Sequence, residues 1–233
     1  ESFGTALFRA TGSPEYVASL GVTTNIPPAP GSGGTTRGVK LTVNHNDEIA
    51  EMAAVNLYPK GQTFSGNYAL RFDLWINYNG GPGGGTGSTE HTLFGINHAG
   101  DKVNWAHATA SPSDGIFFAV TGEGGSGATT PDYINFEGDV SGSPLRFTDQ
   151  EGGFLDRNGN GTFEDEVPSN SEFNLLFPTP PYETTGMPGK QWVQVEVRQR
   201  DGVVTWLMNG YVIAEKQSSF NWTSGNIMIG MMD

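Results

Sequence analysis

Apolar positions recur at every second residue along this chain, in short runs separated by Gly, Pro and Asn. Residues 190–216, KQWVQVEVRQRDGVVTWLMNGYVIAEK, show the pattern most clearly. Val193, Val195 and Val197 alternate with Gln194, Glu196 and Arg198. A period of two describes a strand with one buried and one wet face. Asp201-Gly202 and Asn209-Gly210 follow at the right intervals for two tight turns whose central residues take positive φ. The expected unit is a three-stranded antiparallel meander over 190–200, 203–208 and 211–214. A slip of one residue would turn its valines into water, so its register is well specified.

Shorter runs of the same kind lie upstream. Residues 39–44 (VKLTVN), 53–58, 91–97 (HTLFGIN), 115–121 (GIFFAVT), 133–137 (YINFE) and 227–232 (IMIGMM) read as strands, and 2–9 as a weak one. The strongest early strand is 68–78, YALRFDLWINY. Its Leu70, Phe72, Leu74 and Ile76 share one face, assigned to the core. Ala69, Arg71, Asp73, Trp75 and Asn77 share the other. Residues 21–38, rich in Pro, Gly and Thr, read as a long surface loop, and 80–88 as a flexible one. No clear amphipathic helix appears; the best candidate, 47–57, is short. Residues 138–189 are acidic and rich in Gly, Pro and Asn, and read as an insertion without regular structure, a type of segment that usually carries function or disorder.

The late strands also carry a family resemblance. The spacing Gly202-x-Val204-x-Trp206-x-x-Asn209-Gly210-x-x-Ile213-Ala214, with GNYALRFDLWINYNG (66–80) and GNIMIGMMD (225–233), resembles concanavalin A-like, laminin G-like jelly rolls. It is most similar to a bacterial extracellular branch found as modules of secreted or cell-surface proteins. The resemblance implies an all-β, two-sheet antiparallel jelly-roll sandwich as a single domain over 1–233, with 138–189 inserted. It implies little about ligand, because this fold hosts lectins, glycosidases and structural modules alike. In the resembled family a further strand usually follows a segment like 225–233, whereas here the chain stops at Asp233. Either the chain is a processed fragment, or an open sheet edge takes a strand from a neighbouring copy.

Composition narrows the function classes. The formal net charge of −13 would repel nucleic acid and anionic membranes and attract cations. The absence of cysteine excludes disulfides and thiol catalysis. No run approaches the ~20 apolar residues of a membrane helix, so no membrane insertion is expected. Asn221-Trp222-Thr223 is a glycosylation-type triplet of the kind chance supplies.

The sharpest chemical signal is Asp156-Arg157-Asn158-Gly159-Asn160-Gly161-Thr162-Phe163-Glu164-Asp165-Glu166. It resembles calcium loops of the D-x-[DN]-x-[DN]-G type. Oxygens of Asp156, Asn158 and Asn160 converge at spacing two, Gly161 permits the sharp turn, and the Thr162 carbonyl is the next ligand. The closing acid of an EF-hand is replaced by Val167, so Glu164, Asp165 or Glu166 must close the shell. Two neutral amides among the first three ligands imply modest affinity for Ca2+. The competing reading is an Asn-Gly turn with solvated acids.

Catalytic signatures are weak. A retaining glycosidase needs paired carboxylates on one face. The chain offers only Glu164 and Glu166 in a loop, with Glu196 alone between Gln194 and Arg198 and Asp73 expected to pair with a cation. His45, His91, His98 and His107 lack the zinc-protease spacing and are expected at the surface or in turns, although His91 and His98 could meet across a hairpin. Serine elbows and phosphate loops are absent. Arg71, Asp73, Trp75 and Asn77 combine an aromatic, charges and an amide, as a carbohydrate platform requires, because sugars present apolar faces beside hydroxyl edges. Packing of Trp75 beneath the 138–189 stretch is the competing role. The reading is therefore a non-catalytic extracellular or cell-surface module that binds carbohydrate or another extracellular surface and is stabilised by calcium. The alternatives are a subunit that assembles with neighbouring copies through sheet edges, and a glycan-active enzyme of the same fold.

Overall fold

The computed structural model describes residues 3–9, 26–35, 37–43, 53–77, 90–106, 112–122, 132–141, 145–147, 170–217 and 221–233. Its strands are β1 (Phe3–Arg9), β2 (Arg37–Val43), β3 (Ala54–Leu57), β4 (Phe64–Ser65), β5 (Tyr68–Trp75), β6 (His91–His98), β7 (Ile116–Val120), β8 (Tyr133–Glu137), β9 (Leu145–Phe147), β10 (Trp192–Arg200), β11 (Val203–Met208), β12 (Tyr211–Gln217) and β13 (Ser224–Met232). Among the described residues one α-helix, α1, spans Asn170–Leu176.

The strands build the expected all-β, two-sheet antiparallel sandwich. One sheet runs β12-β11-β10-β5; the other follows β3-β13-β6-β7-β8-β9, with β4 also on β13. β1 and β2 form a separate two-stranded ladder. The meander has the register that its turns specify. Asp201 and Gly202 take φ of 50° and 81°, and Asn209 and Gly210 take 49° and 79°, which is the primed-turn geometry that matches strand twist. β10 then pairs with β5 on its other side, Val195 opposite Phe72 and Glu196 opposite Arg71. β13 is an interior strand, flanked by β3 and β4 on one side and β6 on the other.

The core lies between the sheets. From the smaller sheet come Leu70, Val193, Val195, Val197, Val204 and Trp206, all buried. The larger sheet answers with Phe94, Ile96, Ile116, Phe118, Val120 and Tyr133. Trp206 is the hub: its ring lies 5.4 Å from Phe94, 5.1 Å from Phe118 and 6.0 Å from Tyr133, centroid to centroid. The larger sheet is covered on its other face too. Leu93, Phe117, Ile134, Phe136, Met228 and Met232 form a second cluster there, against Tyr58 and Trp105. This explains why β7 and β8 are buried at every position instead of alternating.

The 138–189 stretch departs from the expectation of irregular structure. It contributes β9 and α1, and its last third closes one end of the sandwich. Phe173 and Phe177, four residues apart, fall on one side of the chain as a helix requires, and both are buried. Phe173 stacks on Tyr133 at 4.2 Å, and Phe177 packs edge-on against Tyr182 at 5.1 Å. Residues 54–57, part of the best helical candidate by sequence, pair with β13 as a strand.

Leu175 and Phe177 give a sharp contrast in this segment, being 83% and 0% exposed. Phe177→Ala is expected to cost about 3–5 kcal/mol in urea unfolding, whereas Leu175→Ala should stay within about 0.5 kcal/mol. Equal effects would mean that α1 does not close the core.

Candidate functional site

Because the inner face of the smaller sheet is buried, period two sends the other face outward. Across β5 and β10 the outward residues are paired row by row: Trp75 opposite Trp192, Asp73 opposite Gln194, Arg71 opposite Glu196. All four sequence-selected platform residues therefore occupy one corner of the molecule. Asn77 accepts the Trp75 indole N–H at 3.2 Å. Trp75 and Trp192 meet edge-to-face at 5.5 Å, both half-buried. Trp192 joins the site only through strand pairing.

The charges on this face are already engaged with one another. Arg71 Nε lies 2.8 Å from Glu196 Oε2, and Arg198 Nη1 lies 3.6 Å from Glu196 Oε1. Glu196, which stands alone in the sequence, is thus held between two guanidinium groups. Asp73 accepts a backbone hydrogen bond rather than a cation: Gly31 N–H donates to its Oδ2 at 3.1 Å.

That bond belongs to a strap, residues 26–32, that lies over the corner. Ile26, its first residue, is buried. The Trp192 indole N–H donates to the Pro27 carbonyl at 2.7 Å. Ala29 has φ −62° and ψ 145°, within the scatter of polyproline II. A short 3₁₀ turn, Pro30–Ser32, then brings Gly31 to Asp73. A Cβ on Gly31 would come within 2.8 Å of Asp73 Oδ2, so a larger residue there would have to push the carboxylate aside. Among the described residues the strap lies against Trp192; part of the 138–189 stretch, which the sequence also offered as cover for Trp75, lies outside the described residues. Sequence inspection read the strap as a loop; its signal is Ile-Pro-Pro-Ala-Pro itself, a segment stiff enough to be docked at little entropic cost.

A second polar cluster lies on the far face of the larger sheet, and it holds the histidine that sequence inspection misplaced. His91 and His98 begin and end the same strand, so they do not meet, and both are buried rather than at the surface. His98 Nδ1 is 3.0 Å from Asp114 Oδ1, both side chains fully buried. Asn104 Nδ2 donates to Asp114 Oδ1 at 2.9 Å and to Tyr58 Oη at 2.8 Å. Ala99 N–H donates to Asp114 Oδ2 at 2.6 Å. The imidazole occupies a slot cut by two glycines: a Cβ on Gly95 would meet its Nε2 at 2.5 Å, and one on Gly115 its Nδ1 at 2.6 Å. With no exposure, this pair pins the segment after β6 to the sheet. Burial raises the Asp114 pKa, but the hydrogen bonds and charge of His98, with Asn104 and the Ala99 N–H, outweigh it and hold the carboxyl below its ordinary value of 3.8. Burial likewise pushes the Tyr68 hydroxyl up to about 12, against a hydrogen bond to Asn97.

The calcium-type loop, Asp156, Asn158, Asn160, Thr162, Glu164, Asp165 and Glu166, lies outside the described residues, as do His45 and His107. Among the described residues no group of three or more His, Asp or Glu is placed to hold a metal ion.

A carboxyl depressed in the folded state stabilises the fold above its unfolded pKa, and that contribution is lost as pH falls through the folded value. The wild type is therefore expected to lose stability below about pH 4, and Asp114→Asn to lack this component of the pH profile. At pH 7 the variant should be less stable by about 3 kcal/mol, since it breaks a buried hydrogen-bonded pair. Parallel pH–stability curves for the two proteins would count against this role of Asp114.

No protein-family model matches the chain, and no curated protein matches it.

Proposed function

We propose that this chain is a non-catalytic extracellular module that attaches to carbohydrate through the outer face of the β5–β10 corner. The observation that carries the reading is the convergence of Trp75, Trp192, Asp73, Arg71 and Asn77 on one face of a rigid sheet. Indole rings supply the apolar surface that pyranose rings stack on, and the amide and charged groups supply hydroxyl partners around it. The resemblance to concanavalin A-like modules points the same way. An enzymatic role finds less support, because Asp73 and Glu196 are each committed to structural contacts on this face.

Affinity electrophoresis in gels cast with soluble polysaccharides tests the proposal. At least one polysaccharide should retard the wild type, and Trp75→Ala should migrate about tenfold closer to its mobility in a plain gel, in keeping with ~1–3 kcal/mol for a stacked aromatic. Equal retardation of the two proteins in every gel would remove the corner from consideration.

Calcium belongs to this reading through the donor chemistry of residues 156–166, carboxylate and amide oxygens around Gly161. Bound there, the ion would tie acidic chain to itself and contribute stability by mass action. Removing calcium with a chelator should lower Tm by about 3–5 °C if the ion contributes ~1–1.5 kcal/mol. Asp156→Ala should melt at the chelated temperature with or without calcium; a melt unchanged by chelation would rule the ion out.

An assembly joined through sheet edges is the second reading, favoured by β12 and β9, which end their sheets among the described residues. Sedimentation showing a monomer at high concentration would dispose of it.

A further inference from the structure

Among the described residues, the strap already occupies part of the candidate binding face. A polyproline-II segment presents its backbone carbonyls to the side, without internal hydrogen bonds, and exposes apolar pyrrolidine rings. Proteins that recognise such segments use an aromatic groove and an indole N–H aimed at a carbonyl. The β5–β10 corner has the indole donor and an aromatic pair beside it, and it holds the strap by its backbone and by Ile26, while Pro27, Pro28 and Pro30 stay exposed. Two tryptophans stand edge-to-face, and the Trp192 indole donates to Pro27 C=O at 2.7 Å. Ile26 is the buried anchor at one end of the strap. At the other end Asp73 captures the Gly31 N–H, with its carboxylate oxygen within 2.8 Å of where a Cβ would stand. Three prolines within 27–30 lower the entropy lost on docking.

We propose that the Trp75–Trp192 face is a recognition surface for proline-rich peptides of the Ile-Pro-Pro-x-Pro-Gly type, extended at Ala29 and closed by a tight turn at Pro-Gly, and that residues 26–31 are its resident ligand, masking the face in cis. The proposal rests on the corner being a binding surface, but not on carbohydrate being what it binds. Tethering places the strap at an effective concentration of about millimolar. A free peptide of the same sequence therefore competes poorly with it, and any ligand of the corner, peptide or sugar, must displace it.

The test uses the whole chain, calorimetry, and a synthetic peptide of residues 26–35 as probe. In a variant combining Pro27→Gly, Pro28→Gly and Pro30→Gly, the strap loses its preorganised shape while Ile26, Asp73 and both tryptophans remain. The peptide should bind this variant at least about tenfold more tightly than it binds wild type, as unmasking requires. Adding Trp192→Phe, which keeps an aromatic ring but removes the donor, should weaken that binding about threefold to tenfold. Ile26→Ser, which removes the buried anchor and leaves Asp73 and both tryptophans in place, provides a second unmasked protein should the triple variant not fold. A peptide with its prolines changed to glycine should fail to bind. The proposal is overturned if the peptide binds neither unmasked variant while near-ultraviolet circular dichroism reports a native fold, or if Trp192→Phe costs nothing. Running the same variants in polysaccharide gels separates the two ideas. Retardation without peptide binding overturns the masking proposal and leaves the carbohydrate reading standing. Peptide binding without retardation does the reverse, and neither effect removes both.

Discussion

Burial of one face of the four-stranded sheet is the constraint on which the rest of this structure depends. Once Leu70, Phe72 and Leu74 turn inward opposite Val197, Val195 and Val193, the pleat leaves no choice for the residues between them. Arg71, Asp73 and Trp75 must face out, as must Trp192, Gln194 and Glu196. The same register that builds the core therefore also builds the Trp75–Trp192 corner. Trp206 anchors this arrangement from the inside, since its ring touches aromatic side chains from β6, β7 and β8 at once. An aromatic side chain of that size buries on the order of 200 Å2, so it ties the two sheets together more effectively than any single valine.

Polar groups inside the sandwich hold together what apolar packing alone would leave loosely specified. Asn97, at φ 64°, turns its amide between the sheets, where it accepts from Tyr68 Oη at 2.6 Å and donates to Gln199 Oε1 at 2.8 Å. Its left-handed backbone lies at the irregular pairing of β6 with β13. The kink turns His98 to the opposite side, toward Asp114. Lys216 of β12 reaches across to Glu137 of β8, Nζ to Oε2 at 3.2 Å, and Glu137 also accepts the Asn221 N–H. Buried ion pairs of this kind add little net stability against an apolar replacement, but an unpaired partner would be costly, so they discriminate against misaligned sheets.

The strap couples the amino-terminal third of the chain to the candidate site. Without it, two indoles and a carboxylate would face water together on a flat sheet. With it, their most demanding groups, the Trp192 N–H and an Asp73 oxygen, already have partners. The arrangement of this corner therefore depends on the strap as much as on the sheet.

The alternation of β5, the meander and its two Asx-Gly turns were legible in the sequence because they are local. Period two, β propensity and positive-φ turn residues act within a few positions of one another. The same locality put Arg71, Asp73, Trp75 and Asn77 on one face before any fold was considered. What tertiary structure alone decided was who meets whom across long separations. Glu196 lies 125 residues from Arg71, and Pro27 lies 165 from Trp192; no local rule pairs them. His98 reads as a surface histidine because nothing near it in sequence announces the slot between Gly95 and Gly115. Phe173 and Phe177 were hidden by the acidic, Pro-rich composition around them, although their spacing of four already fitted a helix. Sequence by itself fixed the faces of the strands, because a pleat is a local geometry. The partners on those faces, and the strap laid over one of them, depend on the packing of the whole sandwich.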